Sequence, residues 1–228
     1  MPVLPGPPPV EITLRRTARA RRFSLRVSQL DGRVTLSLPL RAREAEAMAF
    51  AATQEGWLRA ALARMPVRAG VGIGSVIPVE GRLLTLVSAG GRGVRVAADR
   101  LEVPGDAAAA GARVGAWLRV LARERLLAAS DHYAGQIGRQ VTRVTLRDTR
   151  SRWGSCTADG ALMYSWRLIL APPSVLAYVA AHEVAHLAQM NHSPAFWAVV
   201  QGLYPGWQSQ RAWLHAQGPG LHGLRFGA

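Results

Sequence analysis

Lysine is absent from the 228 residues, and cysteine and asparagine occur once each, at Cys156 and Asn191. A single cysteine excludes an internal disulfide framework, so nothing in the chain requires an oxidising compartment. Long apolar runs are missing too. The most apolar window, Leu168 to Leu187, is interrupted by Pro172, Pro173, His182, Glu183 and His186, which a membrane-spanning helix tolerates poorly. The amino-terminal MPVLPGPPPVEI holds no apolar segment of secretory-signal length, and prolines cross it. Together these absences predict a cytoplasmic protein with no membrane partner. The apolar fraction of 49% is ordinary for a folded domain, so a core is within reach without disulfides.

Without lysine, the net charge of +14 rests on arginine alone. A uniform absence of one basic residue reads first as codon bias, giving a generally arginine-rich surface. The same field attracts polyanions, so nucleic acid and nucleotides stay among the expected partners, with binding that weakens as salt rises.

From Val10 to Leu38 the runs EITLRR, RRFSLRVSQ and DGRVTLSLP alternate in polarity, with Asp31-Gly32 as a hairpin turn between the second and third. They predict a small antiparallel sheet. Arg41 to Met65 carries apolar residues at helical spacing and predicts one helix ending before Pro66. Short alternating runs resume at SVIPVEGRLLTLVS, RGVRVAA and RLEVP. Composition and period then change at VPGDAAAAGA, and no repeat of fixed period is visible. These patterns predict a disordered lead-in over 1–9, a β-rich domain with one helix over 10–105, and a second domain over 106–228. The second domain is expected to hold a long helix from about Arg113 to Ile137, strands around VTRVTL and ALMYSWRLIL flanking TRSRWGSCTADG, and a helix opened by Pro172-Pro173.

That last helix carries half of the six histidines within a few residues, in HEVAHLAQMNH. Residues four apart on a helix sit about 40° apart around the axis and about 6 Å along it, so His182 and His186 project side by side. Glu183 lies close enough to serve a water on a shared metal without being a ligand. This is the pattern of a zinc-activated water with a carboxylate general base. A catalytic zinc commonly takes three protein ligands and keeps one place open. His192 is the leading third ligand, with His215 and His222 behind it, and no Asp or Glu follows Glu183. On a continued helix His192 would face away, so the helix must stop; Asn191, in a left-handed conformation, is the expected stop. The spacing is that of the metzincins, with Gln189 where that class has glycine. Cys156 as a fourth ligand would close the site to water. Arg152, Tyr164 and Tyr204 are the candidates for stabilising an oxyanion. Phe196 and Trp197 are expected to pack the following helix, and His132 to lie on the surface.

The run from SRWGSC through WRLILAPPSVLAYVAAHEVAHLAQMNHSPAFW to YPGW resembles the signature of the YgjP-like metal-dependent hydrolases, a metallopeptidase group related to SprT. A looser likeness extends over Glu11 to His215. The resemblance implies an α+β chain in which a β-rich amino-terminal half precedes a zincin-like metallopeptidase domain, its metal helix packed on a small sheet. It also implies one Zn2+ held by His182, His186 and His192, with Glu183 as base. The family usually has asparagine where this chain has Ser165, before WRLI. The WGSC loop gives Arg152, Trp153, Gly154 and Ser155 a substrate-side role along an edge strand; the competing reading buries Trp153 and Cys156 for packing. The first function expected is cleavage of peptides or unfolded proteins. A metal-dependent UTP pyrophosphatase and a DNA-associated, SprT-like protease tethered through the basic amino-terminal half are the alternatives.

Overall fold

The computed structural model describes residues 2–28, 32–63 and 69–227. The chain divides into two compact units, Met1–Val67 and Arg68–Ala228. Among the described residues it is a mixed α+β protein of small sheets and six α-helices, none of them long and apolar enough to cross a membrane.

In the first unit, β2 (Val10–Arg16) and β4 (Val34–Leu38) alternate as their sequences demand, with Val10, Ile12, Val34, Leu36 and Leu38 buried. With β1 (Val3–Leu4) and β3 (Ser24–Val27) they form a sheet in the order β1-β2-β4-β3. The sheet is mixed and not antiparallel throughout, because β2 and β4 run parallel. Alternation fixes which face a side chain takes and leaves the direction of pairing open. The hairpin of β3 and β4 is present; its turn residue Asp31 lies outside the described residues. The expected disordered lead-in over 1–9 is a correction: Val3 and Leu4 pair with Glu11 and Val10, and Leu4 is buried. The single helix expected over Arg41 to Met65 is two, α1 (Glu44–Thr53) and α2 (Glu55–Ala63). They break where the Thr53 hydroxyl donates back to the Phe50 carbonyl at 2.7 Å and the Gln54 N–H closes a tight turn on the Ala51 carbonyl at 3.1 Å. Residues 64–68, which include Pro66, lie outside the described residues.

The second unit begins with the same topology. Strands β6 (Val76–Val79), β7 (Arg82–Ala89), β8 (Arg95–Ala97) and β9 (Arg100–Pro104) order as β6-β7-β9-β8, after a short β5 (Ala69–Gly70). Here again an antiparallel pair, a parallel pair and an antiparallel pair follow each other across the sheet. Glu80 and Gly81 both take positive φ, 48° and 76°, in the two-residue turn from β6 to β7, where glycine relieves the strain of the second position.

The domain boundary expected near residue 105 therefore moves to Val67/Arg68. Ile77, Leu84, Leu86, Leu101 and Val103 enter the same core as the helices that follow. VPGDAAAAGA marks a turn at Gly105 and a 3₁₀ segment, Ala107–Ala109, capped by the Asp106 carboxylate. It leads straight into α3 (Ala110–Gln136), whose Val114, Leu118, Ala122 and Leu126 recur every fourth residue along a fully buried stripe.

Beyond α3, β10 (Arg143–Arg147), β11 (Gly154–Cys156) and β12 (Ala161–Ser165) form a three-stranded sheet in the order β10-β12-β11. The strand expected to run through WRLIL stops at Ser165, and Trp166–Leu170 is a 3₁₀ turn. Helices α4 (Pro173–Ala185), α5 (Pro194–Leu203) and α6 (Trp207–Leu221) complete the unit with β13 (Leu224–Arg225), which pairs with β5. Helix α4 packs among α3, α5, α6 and the edge strand β11. Arg167, 9% exposed, ties the carboxy-terminal segment down. Its guanidinium donates to both Asp148 carboxylate oxygens at 2.6 and 3.1 Å, and to the carbonyls of Leu221 and Leu224 at 2.9 Å each. Paired charge and full hydrogen bonding are the conditions under which a buried guanidinium is tolerated.

Candidate metal centre

Pro173 opens α4 in its first turn, where a missing N–H costs nothing, and the helix is then buried from Val175 to Ala185 on nearly every side. Polar side chains are out of place in such surroundings, yet Glu183 is 6% and His186 8% exposed. His182 and Glu183 sit in the last turn, and His186 caps it. The helix stops by tightening: the N–H groups of His186, Leu187 and Ala188 bond carbonyls three residues back. This corrects the expected role of Asn191. Among the described residues the only non-glycine positions with positive φ are Glu80 and Ala98, so Asn191 is not left-handed. Its side-chain oxygen instead accepts from the Ser193 N–H at 3.3 Å, and Ser193 caps α5.

The reversal brings the third histidine back. His192 Nε2 and His182 Nε2 are 3.1 Å apart, and the candidate donor atoms of His182, His186 and His192 all lie within 4.8 Å of one another. Two nitrogens bound tetrahedrally at about 2.0–2.1 Å from a zinc ion are about 3.3 Å apart, close to the observed pair. Phe196 lies against all three imidazoles, with centroids 5.0, 4.4 and 4.8 Å from those of His182, His186 and His192. Trp197 stacks on His192 at 5.9 Å. The packing role expected of these two aromatics is thus exercised on the imidazole rings themselves.

The donor chemistry suits a cation. Burial first, then the neighbouring His186 and His192, push His182 down to about 3, so its ring stays neutral with a lone pair free. His186 is likewise lowered, chiefly by burial. Its Nδ1 donates to the Gln189 carbonyl at 3.0 Å when it carries the ring proton, which leaves Nε2 as the donor atom. His182 Nδ1 is buried without a hydrogen-bond partner, so the ring is oriented by its packing among Tyr178, Phe196 and Trp197, with Nε2 turned to the cluster. Three imidazole nitrogens with no carboxylate in the set fit a borderline-soft divalent ion better than magnesium or calcium.

Glu183 opens onto a cavity of about 290 Å³ also bordered by Arg152, Trp153, Gly154, Tyr178, Val179, His182, Arg211, Leu214 and His215. Burial pushes its carboxyl up to about 8, against a smaller opposing pull from Arg152. Gly154, on β11, leaves room for it. A Cβ there would lie 2.5 Å from both Cγ and Oε1 of Glu183. Trp153 leans on Gly218 and packs at a tilt against the His222 ring, centroids 5.0 Å apart, so it both packs and lines the cavity. Ser155 does not border the cavity; it pairs with Met163 along β11.

Of the oxyanion candidates, Tyr164 is fully buried and hydrogen-bonded to Ser130 at 3.0 Å, and Tyr204 packs against Tyr133 and Tyr178. Only Arg152 borders the cavity. Cys156 stands outside the histidine cluster with its thiol pushed up to about 11 by burial and by nearby Glu183, and His132 bonds Gln136 on the outer face of α3. Tyr178 and Arg211 border the site without having been expected there, whereas His215, a reserve candidate for the third ligand, borders the cavity and stands outside the histidine cluster. Arg211 carried one signal in the sequence: it is the single Arg, Asp or Glu between Glu183 and Arg225.

The family model described as YgjP-like, metallopeptidase domain, matches residues 21–217. No curated protein matches. Among solved structures, the metallopeptidase zymogen of Pyrococcus abyssi abylysin aligns with 21% identity and a TM-score of 0.37, over 40% of this chain and 95% of that one.

Proposed function

The chain belongs to the YgjP-like metallopeptidase family, and from that premise we propose that it is a zinc-dependent peptidase that cleaves peptides or unfolded proteins, with His182, His186 and His192 holding one Zn2+ and Glu183 acting as general base. The observation that carries this reading is the convergence of three imidazoles beside a cavity onto which one buried carboxylate opens. A divalent cation held there supplies Lewis acidity, lowering the pKa of water towards about 7 and polarising a scissile carbonyl.

The protein's own groups do the rest. The Glu183 carboxylate takes a proton from the attacking water and returns it to the leaving amine nitrogen. The Gln189 carbonyl holds the His186 ring in one tautomer. Gly154 keeps β11 close to the carboxylate without displacing it. Trp153, Val179 and Leu214 give the cavity apolar walls. Glu183→Gln should abolish peptide turnover while zinc remains bound; turnover at the wild-type rate would remove the mechanism.

A second reading concerns the first unit. Arg19, Arg21 and Arg22 surround a cavity of about 650 Å³ with Ser24 and Ser37, in a stretch from Ile12 to Leu30 that has no acidic residue. This supports a polyanion-binding surface that could hold the hydrolase on nucleic acid. Binding of the full chain to duplex DNA should weaken steeply with salt, and less steeply after Arg19→Ala, Arg21→Ala and Arg22→Ala together. A salt-independent or absent interaction removes the idea.

A further inference from the structure

Two guanidinium groups border the cavity that Glu183 faces, Arg152 from the segment before β11 and Arg211 from α6. Among the described residues neither side chain makes a hydrogen bond or a salt bridge, and the Glu183 carboxylate feels Arg152 only at longer range, whereas Arg59, Arg95, Arg125 and Arg167 are each paired with an acidic neighbour. Arg211 is nonetheless held in place. Its Cζ lies 5.4 Å from the Trp197 ring and 5.9 Å from that of Trp207, and these rings stack at 4.2 Å. Trp197 in turn stacks on His192, so the guanidinium is anchored to the same aromatic group that supports the histidine cluster.

The charge balance of the cavity is uneven. Two guanidiniums face one carboxylate, Glu183, and that carboxylate is committed to the reaction. The remaining walls include Val179, Leu214 and the Trp153 ring. Unpaired cations above apolar walls match one negative group carried on a short apolar stem. A triphosphate, with three or four negative charges beside Glu183, matches less well.

We infer that this cavity is a specificity pocket for a carboxylate next to the scissile bond, recognised by Arg152 and Arg211. The inference rests on the peptidase reading of the same site. The carboxylate comes either from an aspartate or glutamate side chain or from a free chain terminus, and both present the planar two-oxygen group a guanidinium fork receives. Charge-assisted hydrogen bonds of this kind give about 10- to 100-fold in kcat/KM.

The test uses the zinc-loaded full chain and fluorogenic peptides identical except for Asp, Asn or Lys at one position flanking the cleaved bond. All are amidated, and a second set carries a free terminal carboxylate. Asp should exceed Asn by at least about 10-fold with Lys slowest, the difference falling mainly in KM, and Arg152→Gln or Arg211→Gln should bring the Asp/Asn ratio close to one. An advantage confined to the free-terminus set, and lost in the same variants, supports the inference with the terminus as source. Equal cleavage of all peptides overturns it and leaves the peptidase reading standing. No cleavage of any peptide, with phosphate released from UTP in a manner that depends on Arg152 and Arg211, overturns both.

Discussion

Replacing Glu183 by glutamine tests the electrostatics of the site independently of catalysis. The carboxyl titrates near 4.5 when free in solution and is pushed up to about 8 in the fold by burial. A carboxyl with a raised folded pKa stabilises the fold through its protonated form. That stabilisation is fully present below pH 4.5, falls as pH rises from there, and is gone above about 8. At 1.36 kcal/mol per pH unit, the gap is worth on the order of 5 kcal/mol in the metal-free protein, a large share of the roughly 5–15 kcal/mol that holds a domain folded. Glutamine keeps the shape and does not titrate. Wild type and Glu183→Gln should therefore have similar stabilities near pH 5, and the variant should gain progressively up to pH 9. Urea unfolding of the chelator-treated chains, followed by tryptophan fluorescence, gives the comparison; six of the seven tryptophans lie in the second unit. His182 and His222, lowered to about 3 and about 4 chiefly by burial, contribute equally to both curves and cancel in the difference. Adding zinc should shrink the difference, because a nearby cation favours the carboxylate. A difference that stays flat from pH 5 to pH 9 would refute the reasoning.

Two further outcomes follow from packing. Gly154→Ala places a Cβ 2.5 Å from Glu183 Oε1 on a strand pinned by its pairing with β12, so the carboxylate must yield; kcat should fall about 100-fold with zinc content unchanged, and a near-wild-type kcat would show that the strand can move aside. Arg167→Ala removes the partner of Asp148, whose nearly half-exposed carboxylate is rehydrated, and strands the carbonyls of Leu221 and Leu224, at a cost of about 2–3 kcal/mol by urea unfolding. Burial alone would raise the Asp148 carboxyl, but the Arg167 hydrogen bond and charge hold it below its ordinary 3.8. The stability from this pair is therefore present above pH 3.8 and is lost in stronger acid, and Arg167→Ala should remove that acid-dependent loss. An unchanged acid limb would contradict the pairing.

The parts of the site legible in the sequence were those written in local spacing. HEVAH places two imidazoles and a carboxylate on one helix end whatever surrounds it, and a third histidine six residues on can join them only if the chain reverses. The reversal is there, although the expected device was wrong: a tightened helix end turns the chain, and Asn191 serves the next helix cap. Arg211 stayed hidden because it reaches the cavity through packing, from a helix that starts more than twenty residues after Glu183; Tyr178, one turn before His182 on α4, was within reach of the same four-residue spacing and was not singled out. In the fold, the individual strands announced themselves by alternation, but their parallel pairing did not. The repeated topology of β1–β4 and β6–β9 was invisible for the same reason, since it is carried by pairing order and loop lengths and not by a sequence period. The boundary near residue 105 failed because a change of composition marks a turn as readily as a gap between cores.

The central claim is that three converging imidazoles hold a single zinc ion, and the most direct measurement is the metal content of the purified full chain beside that of His192→Ala. About one equivalent of zinc per chain in the wild type, lost in a variant with an unchanged circular dichroism spectrum, is the predicted result. A wild-type chain without zinc, or a variant that keeps its full equivalent, would contradict the account.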